Sequence, residues 1–387
     1  MPPGHLAMAL AEKGLGMSAV SSHAMARSTT LHGLRGALAF ALLLYHVANS
    51  GLSRHEGVFW DAIDHVLRSF EHGVELFFCI SGVVIVQSFR SSSSVWDFAW
   101  NRVTRIYPVL WVTVSVITIL SVFRGVPLPS PGVWLANLLA LPPLVPVRLI
   151  HPAAWSISYE FVFYGMFVLH AVLHRWLPAP WARAALFGLA LCLILTHLRA
   201  LCFVVGVALA LSPPSRAPSA LRRCMAWPAL WLMLALLAWL EAYQRWGMPW
   251  NVVYLPELAG GEAAVGSLLI LAGTGFAYLG VAGVLLQEGW LARWLQSRHM
   301  QWLGTVSFSL YLWQTIVMAL VKHGMSVLGI TEAVGASAQL CFLALSLVPT
   351  LWVSQLSQVW LEKAVTLKLR DASWRKPGIA KFHQEKG

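Results

Sequence analysis

A chain of 387 residues with 58% hydrophobic and only 11% charged residues, at a mean hydropathy of +0.67, excludes an ordinary soluble fold. Its net charge of +11 would point to nucleic acid in a soluble domain. In a chain this apolar, basic residues gather on the inner side of a membrane instead, so nucleic-acid binding is set aside.

Residues 1–30 are rich in Ala, Met and Ser, and Glu12 and Lys13 interrupt any apolar run, so no signal peptide is expected there and the segment reads as a cytoplasmic tail. Apolar segments of roughly 17 to 25 residues then recur, each long enough to cross about 30 Å of hydrocarbon as a helix. Ten spans can be drawn, at 31–50, 73–89, 107–123, 155–173, 184–198, 199–212, 226–241, 263–287, 304–321 and 338–361. The expected fold class is therefore an all-α polytopic membrane protein of about ten transmembrane helices. A single membrane domain occupies 31–361 and a basic cytoplasmic tail occupies 362–387. Most of the 27 Lys and Arg fall on segments that this drawing puts inside, which places both termini in the cytoplasm. The fifth and sixth spans are short and nearly contiguous, as in a tight helical hairpin. The Pro-rich stretch 125–154, with Trp134 to Ala140 inside it, reads as an outer loop carrying an interfacial or re-entrant piece. Five cysteines without a C-x-x-C spacing argue against a disulfide framework or a zinc site, and no metal is expected.

The chemistry-bearing residues follow in the same order. The first span holds Arg35 and His46, and ionisable groups inside a bilayer are expensive enough to mark function. Eleven positions apart, they share a helix face at about 16 Å, too far for an ion pair. The second span begins Gly73-Val-Glu-Leu-Phe-Phe-Cys-Ile-Ser-Gly82. Glu75 lies near its outer end, and Ser81-Gly82 allows close approach of either a neighbouring helix or a ligand. Arg102 and Arg105 are three apart, so on a helix they share a face at the inner surface. Their paired forks suit phosphate, although inner loops carry Arg for topology as well. The fourth span opens at Trp155 and Ser156 and carries Glu160 among hydroxyl-bearing neighbours. Such a carboxylate can orient a His, accept a hydroxyl or pair with a cation. Glu241 and Glu262 fall at span edges, which leaves Glu75 and Glu160 as the carboxylates within spans.

Five segments in this order resemble the acyltransferase-3 family of integral membrane O-acyltransferases, over about residues 31–361. They are Arg35 with His46, Phe77-Phe-Cys-Ile-Ser-Gly82, Arg102-x-x-Arg105 leading into Ile-Tyr-Pro, Trp155-Ser-Ile-Ser-Tyr-Glu160, and Ser307-Phe-Ser-Leu-Tyr-Leu-Trp313. The resemblance implies transfer of an acyl group, often acetyl, from acyl-CoA as co-substrate to a hydroxyl of a carbohydrate, with no bound cofactor. Surface polysaccharides, their lipid-linked precursors and other glycosylated products are the implied acceptors, and a bacterial inner membrane is the implied location. It also implies Arg35 and His46 as the essential pair and Arg102 and Arg105 as part of the donor-binding inner face. Two positions depart from the family: Gln314 stands where many members have His, and Glu75 replaces the commoner Asp. The hydroxyl oxygen that attacks an acyl thioester must lose its proton, and His46 is the side chain suited to take it near neutral pH. Glu160 is expected to be catalytic together with that pair, and Glu75, Phe77, Phe78, Ser81, Gly82, Trp155 and Ser156 are expected to support the site. The rival expectation is a transporter or flippase of a glycan or lipid, with Arg35, His46 and Glu160 as a polar pathway. No internal repeat favours it.

Overall fold

A computed structural model describes residues 29–371 apart from 143, 177, 197 and 247–260. The expected tails, 1–30 and 362–387, therefore lie outside the described residues except at their inner ends. The regular elements described are all helical. α1 (Thr29–Ala48) is followed by α2 (Val58–Ser69), which runs through a 3-10 turn, Phe70–His72, into α3 (Gly73–Ser91). Then come α4 (Val95–Phe123), the short α5 (Pro131–Leu138), α6 (Trp155–Trp176), α7 (Ala179–Thr196), α8 (Leu201–Leu211), α9 (Ser219–Cys224) and α10 (Pro228–Trp246). The last group is α11 (Gly261–Leu286), α12 (Gly289–Leu295), α13 (Arg298–Val327), α14 (Ile330–Val334), α15 (Ala338–Ser357) and α16 (Thr366–Asp371).

Among the described residues, seven helices are long and apolar enough to cross a membrane: 29–48, 58–91, 95–123, 152–173, 265–286, 298–327 and 330–370. The other expected spans correspond to α7, α8 and α10, and α8 has only 11 residues. At about 1.5 Å per residue it reaches roughly half-way through a bilayer. The expected hairpin of the fifth and sixth spans is absent. α7 rests on α6, whereas α8 packs along α3. The reason is the glycine pair Gly82 and Gly206. A Cβ added at Gly82 would lie 2.9 Å from Gly206 Cα and from Val207 N, so the two backbones are nearly in contact.

Several helices extend beyond their apolar cores because polar residues cap or continue them. The Ser94 hydroxyl accepts from the Asp97 N–H at 3.0 Å, which starts α4 twelve residues before the expected span. Arg105 and Arg102 are therefore inside a helix, about one and two turns ahead of Pro108. At the far end, α15 passes without interruption through a π-helical segment, Gln358–Val365, into α16.

Within the stretch expected to carry an interfacial or re-entrant piece there is a short helix, α5. Trp111 Nε1 donates to Leu138 O at 3.0 Å, and the Asn137 side chain donates to Val133 O and Arg148 O and accepts from the Ile150 N–H. This ties 131–151 down over the start of α6, where the Ser158 hydroxyl also donates to Pro142 O. His151 completes the attachment. Its Nδ1 accepts from the Ala153 N–H and its Nε2–H donates to Leu312 O on α13, both at 3.1 Å. One donor and one acceptor on the two ring nitrogens fix a neutral imidazole, and burial pushes its pKa down to about 4.

Candidate active site

α1, α3, α4, α6 and α13 surround a cavity with about 790 Å³ of unfilled space, part of it open to solvent. Arg35, Phe77, Phe78, Ser81, Arg102, Arg105, Ser156, Glu160, Tyr164 and Tyr311 are among its lining residues. Eight of the positions singled out in the sequence, from four separate segments, thus share one wall. Hydrophobic packing of α3 and α6 turns the polar residues of both helices inward. The rest of that wall is apolar and aromatic, with Phe78 stacked on Phe203 at 4.4 Å between centroids.

Glu160 anchors the polar side. Its Oε1 accepts from the Ser81 hydroxyl at 2.8 Å and its Oε2 from the Tyr164 hydroxyl at 2.7 Å. The Tyr164 ring in turn lies under the Arg102 guanidinium, 5.4 Å from its centroid, and Phe98 supports the same cation at 5.6 Å. Arg102 is 9% exposed, and its Nε has no hydrogen-bond partner among the described residues. Arg35 lies within electrostatic reach of Arg105, Glu160 and Glu362, and Glu362 within reach of Arg105. None of the three arginines makes a salt bridge among the described residues. Their N–H groups face the cavity side of the bundle with capacity for an anion.

At the other end of the wall the Tyr311 hydroxyl donates to Ala153 O at 2.9 Å. That uses its one proton, so the Ser156 hydroxyl is the donor in the 2.9 Å contact with Tyr311. This end is braced from behind by Glu75, which is fully buried and outside the cavity. Arg199 Nη1 pairs with Glu75 Oε1 at 3.1 Å, and His72 Nδ1 lies 3.7 Å from its Oε2. The Arg199 guanidinium also sits 4.4 Å from the centre of the Trp155 ring. Arg35 therefore does not neutralise Glu75. Gly82 serves helix packing rather than a ligand, as described above.

His46 lies apart from this group. Three turns along α1 from Arg35, it is half-buried against Tyr45, with ring centroids 5.1 Å apart, and is not in the cavity lining. It has no hydrogen-bond or ion-pair partner among the described residues.

Three functional candidates were not singled out by the sequence. Arg199 sits in a 3-10 turn, Leu198–Ala200, between two apolar stretches, where it reads as a loop cation. Tyr311 was present in the Ser307–Trp313 motif without a role. Glu362 corrects the expectation that Glu75 and Glu160 are the carboxylates within spans. It lies one residue past the expected end of the last span, and its Oε1 accepts from the Ser309 N–H at 3.1 Å and the Ser309 hydroxyl at 2.6 Å. Gln314, the other departure, is fully buried with neither amide atom bonded among the described residues.

Comparison with known proteins gives a family and two relatives. The family model Acyl_transf_3, described as an acyltransferase domain, matches residues 29–357. The chain is 30% identical over 177 residues to acyltransferase MdmB of Streptomyces mycarofaciens, covering 43% of this chain and 46% of that protein. It thus spans under half the length of that relative. It is 28% identical over 302 residues to the exopolysaccharide production protein ExoZ of Rhizobium meliloti strain 1021, covering 71% of this chain and 83% of that protein. No solved structure matches.

Proposed function

Because the chain belongs to the acyltransferase-3 family, we propose that it is a multi-pass membrane enzyme that moves an acyl group, acetyl in the simplest case, from acyl-CoA to a carbohydrate hydroxyl. The observation that carries this reading is the convergence of Arg35, Arg102 and Arg105 on one cavity without salt-bridge partners. A coenzyme A donor brings phosphates that such forks fit. We place the arginine end of the bundle on the cytoplasmic side of a bacterial inner membrane, where acyl-CoA is found. Glu160 then acts by holding Tyr164, whose ring carries Arg102.

From the arginines the donor extends along the α1 face towards His46. The separation of about 16 Å suits an extended pantetheine arm. His46 takes the proton of the acceptor hydroxyl as its oxygen attacks the thioester carbonyl. The carbon–sulfur bond breaks and the proton passes to the leaving thiolate, giving an ester and free coenzyme A. Neither ring nitrogen of His46 has a hydrogen-bond partner among the described residues, which leaves it available for that exchange. One relative is named for exopolysaccharide production, which supports a surface polysaccharide or its lipid-linked precursor as acceptor.

The test compares cells carrying the wild type with cells carrying His46→Ala, by mass spectrometry of surface glycans and glycolipids. The mass increment of an acyl group should appear with the wild type alone, and its persistence with His46→Ala would remove the proposed base. Arg102→Ala with Arg105→Ala should raise the apparent KM for acyl-CoA, and an unchanged value would remove the donor assignment.

A further inference from the structure

The last turns of the described chain close over the arginine-bearing turn of α4, and they lie beyond residues 29–357, where the family match ends. The reason for the contact is Pro108. Proline has no N–H, so the carbonyl four residues earlier, that of Thr104, loses its helical donor. In a lipid-embedded helix such a carbonyl has to be satisfied from elsewhere. The donor is the Thr366 hydroxyl, at 2.8 Å. Both residues are buried, Thr104 at 1% and Thr366 at 7% exposure.

Arg370 adds two bonds on the same turn. Its Nη2 donates to Asn101 O at 3.1 Å and its Nε to the Thr104 hydroxyl oxygen at 3.5 Å. The Thr104 hydroxyl itself donates to Trp100 O at 2.8 Å. The backbone from Trp100 to Thr104 is therefore fastened on either side of Arg102 and immediately before Arg105. The π-helical segment that delivers these residues packs against both α4 and α13. π-helical turns are rare and gather at functional sites.

Building on the donor reading above, we infer that residues 358–371 form a clasp on the Arg102–Arg105 turn, with Thr366 and Arg370 as positioning residues for the anionic part of the acyl donor. A proline-broken turn without its substitute donor bends, and two guanidinium forks matched to one phosphate group are sensitive to their spacing.

The test uses full-length protein purified in detergent, with Thr366→Val, Thr366→Ser and Arg370→Ala. Amide exchange across residues 99–107 judges the clasp, and coenzyme A binding judges its consequence. Thr366→Val keeps the volume of threonine and loses the hydroxyl. It should speed exchange in that turn by roughly 2- to 12-fold, the range for one hydrogen bond, and raise the Kd for coenzyme A by a similar factor. Arg370→Ala should do the same, while Thr366→Ser restores wild-type values in both. Unchanged exchange in Thr366→Val and Arg370→Ala overturns the clasp. Faster exchange with an unchanged Kd overturns its role in donor binding. A wild type that does not bind coenzyme A removes the acyl-CoA reading itself, and the exchange measurement still decides whether the clasp exists.

Discussion

Substituting Gly82 by Ala adds one methyl group at the closest approach between α3 and α8. That methyl carbon would stand 2.9 Å from Gly206 Cα and Val207 N, and closer still to Phe203 O. Comfortable carbon contacts begin at about 3.5 Å, so the two backbones must part by on the order of 1 Å. The obstacle is main chain on both sides, so no rotamer change relieves it. Overpacking of this kind costs about 1–3 kcal/mol. The displaced segment includes Phe203, stacked between Phe78 at 4.4 Å and Phe163 at 3.9 Å, and loosening that stack adds up to about 1 kcal/mol. Denaturant unfolding of the purified protein in detergent, followed by tryptophan fluorescence, gives the loss directly. Gly165→Ala is the matched control, because a Cβ there meets nothing within 4 Å. It should be neutral, or stabilising by up to about 1 kcal/mol through helix propensity. A Gly82→Ala protein as stable as the control would refute the close-approach argument. Phe78 lines the cavity, so the same substitution should also weaken donor binding.

Arg199→Met should cost about 3–5 kcal/mol, because it leaves the Glu75 carboxylate buried without its cation. Combining it with Glu75→Gln should recover at least half of that loss in the same unfolding assay, and simple addition of the two losses would show that the pair does not interact. For His151 the sign runs towards acid instability. Its folded pKa is about 4 against 6.5 for an ordinary histidine, so between these values the unfolded chain holds the extra proton. Stability should be intact above pH 6.5 and fall as the pH drops towards 4. His151→Gln should flatten that fall, and an unaltered slope would show that another group causes it.

Much of the cavity could be read from the sequence because polar residues stand out against apolar runs. Arg35, Ser81, Glu160 and the Arg102–Arg105 pair each broke a hydrophobic pattern, and the bundle brings them to one wall. What escaped notice were features set by contacts between distant segments. Arg199 has no local signal, since its partner Glu75 is on another helix. Glu362 was missed because hydropathy falls before the helix does, and backbone hydrogen bonds carry α15 onwards through its π-helical segment. α2 falls between two expected spans because its apolar residues occupy only one face, although it continues into α3. The separation of His46 from the cavity is a matter of position along α1, which shared-face reasoning does not resolve.

The Glu75–Arg199 pair also bears on how the protein is made. α3 leaves the ribosome carrying a carboxylate whose partner has not yet been synthesised. A single charge at a helix centre opposes insertion by roughly 2.5–3.5 kcal/mol on translocon-based scales, and Glu75, in the first turn of α3, carries a smaller share of that cost. Until Arg199 and α8 follow, α3 has little reason to remain fully in the bilayer. The helix that supplies one wall of the cavity therefore settles late, after four further helices have emerged, and substitutions at Arg199 should reduce the yield of inserted protein before they affect any activity.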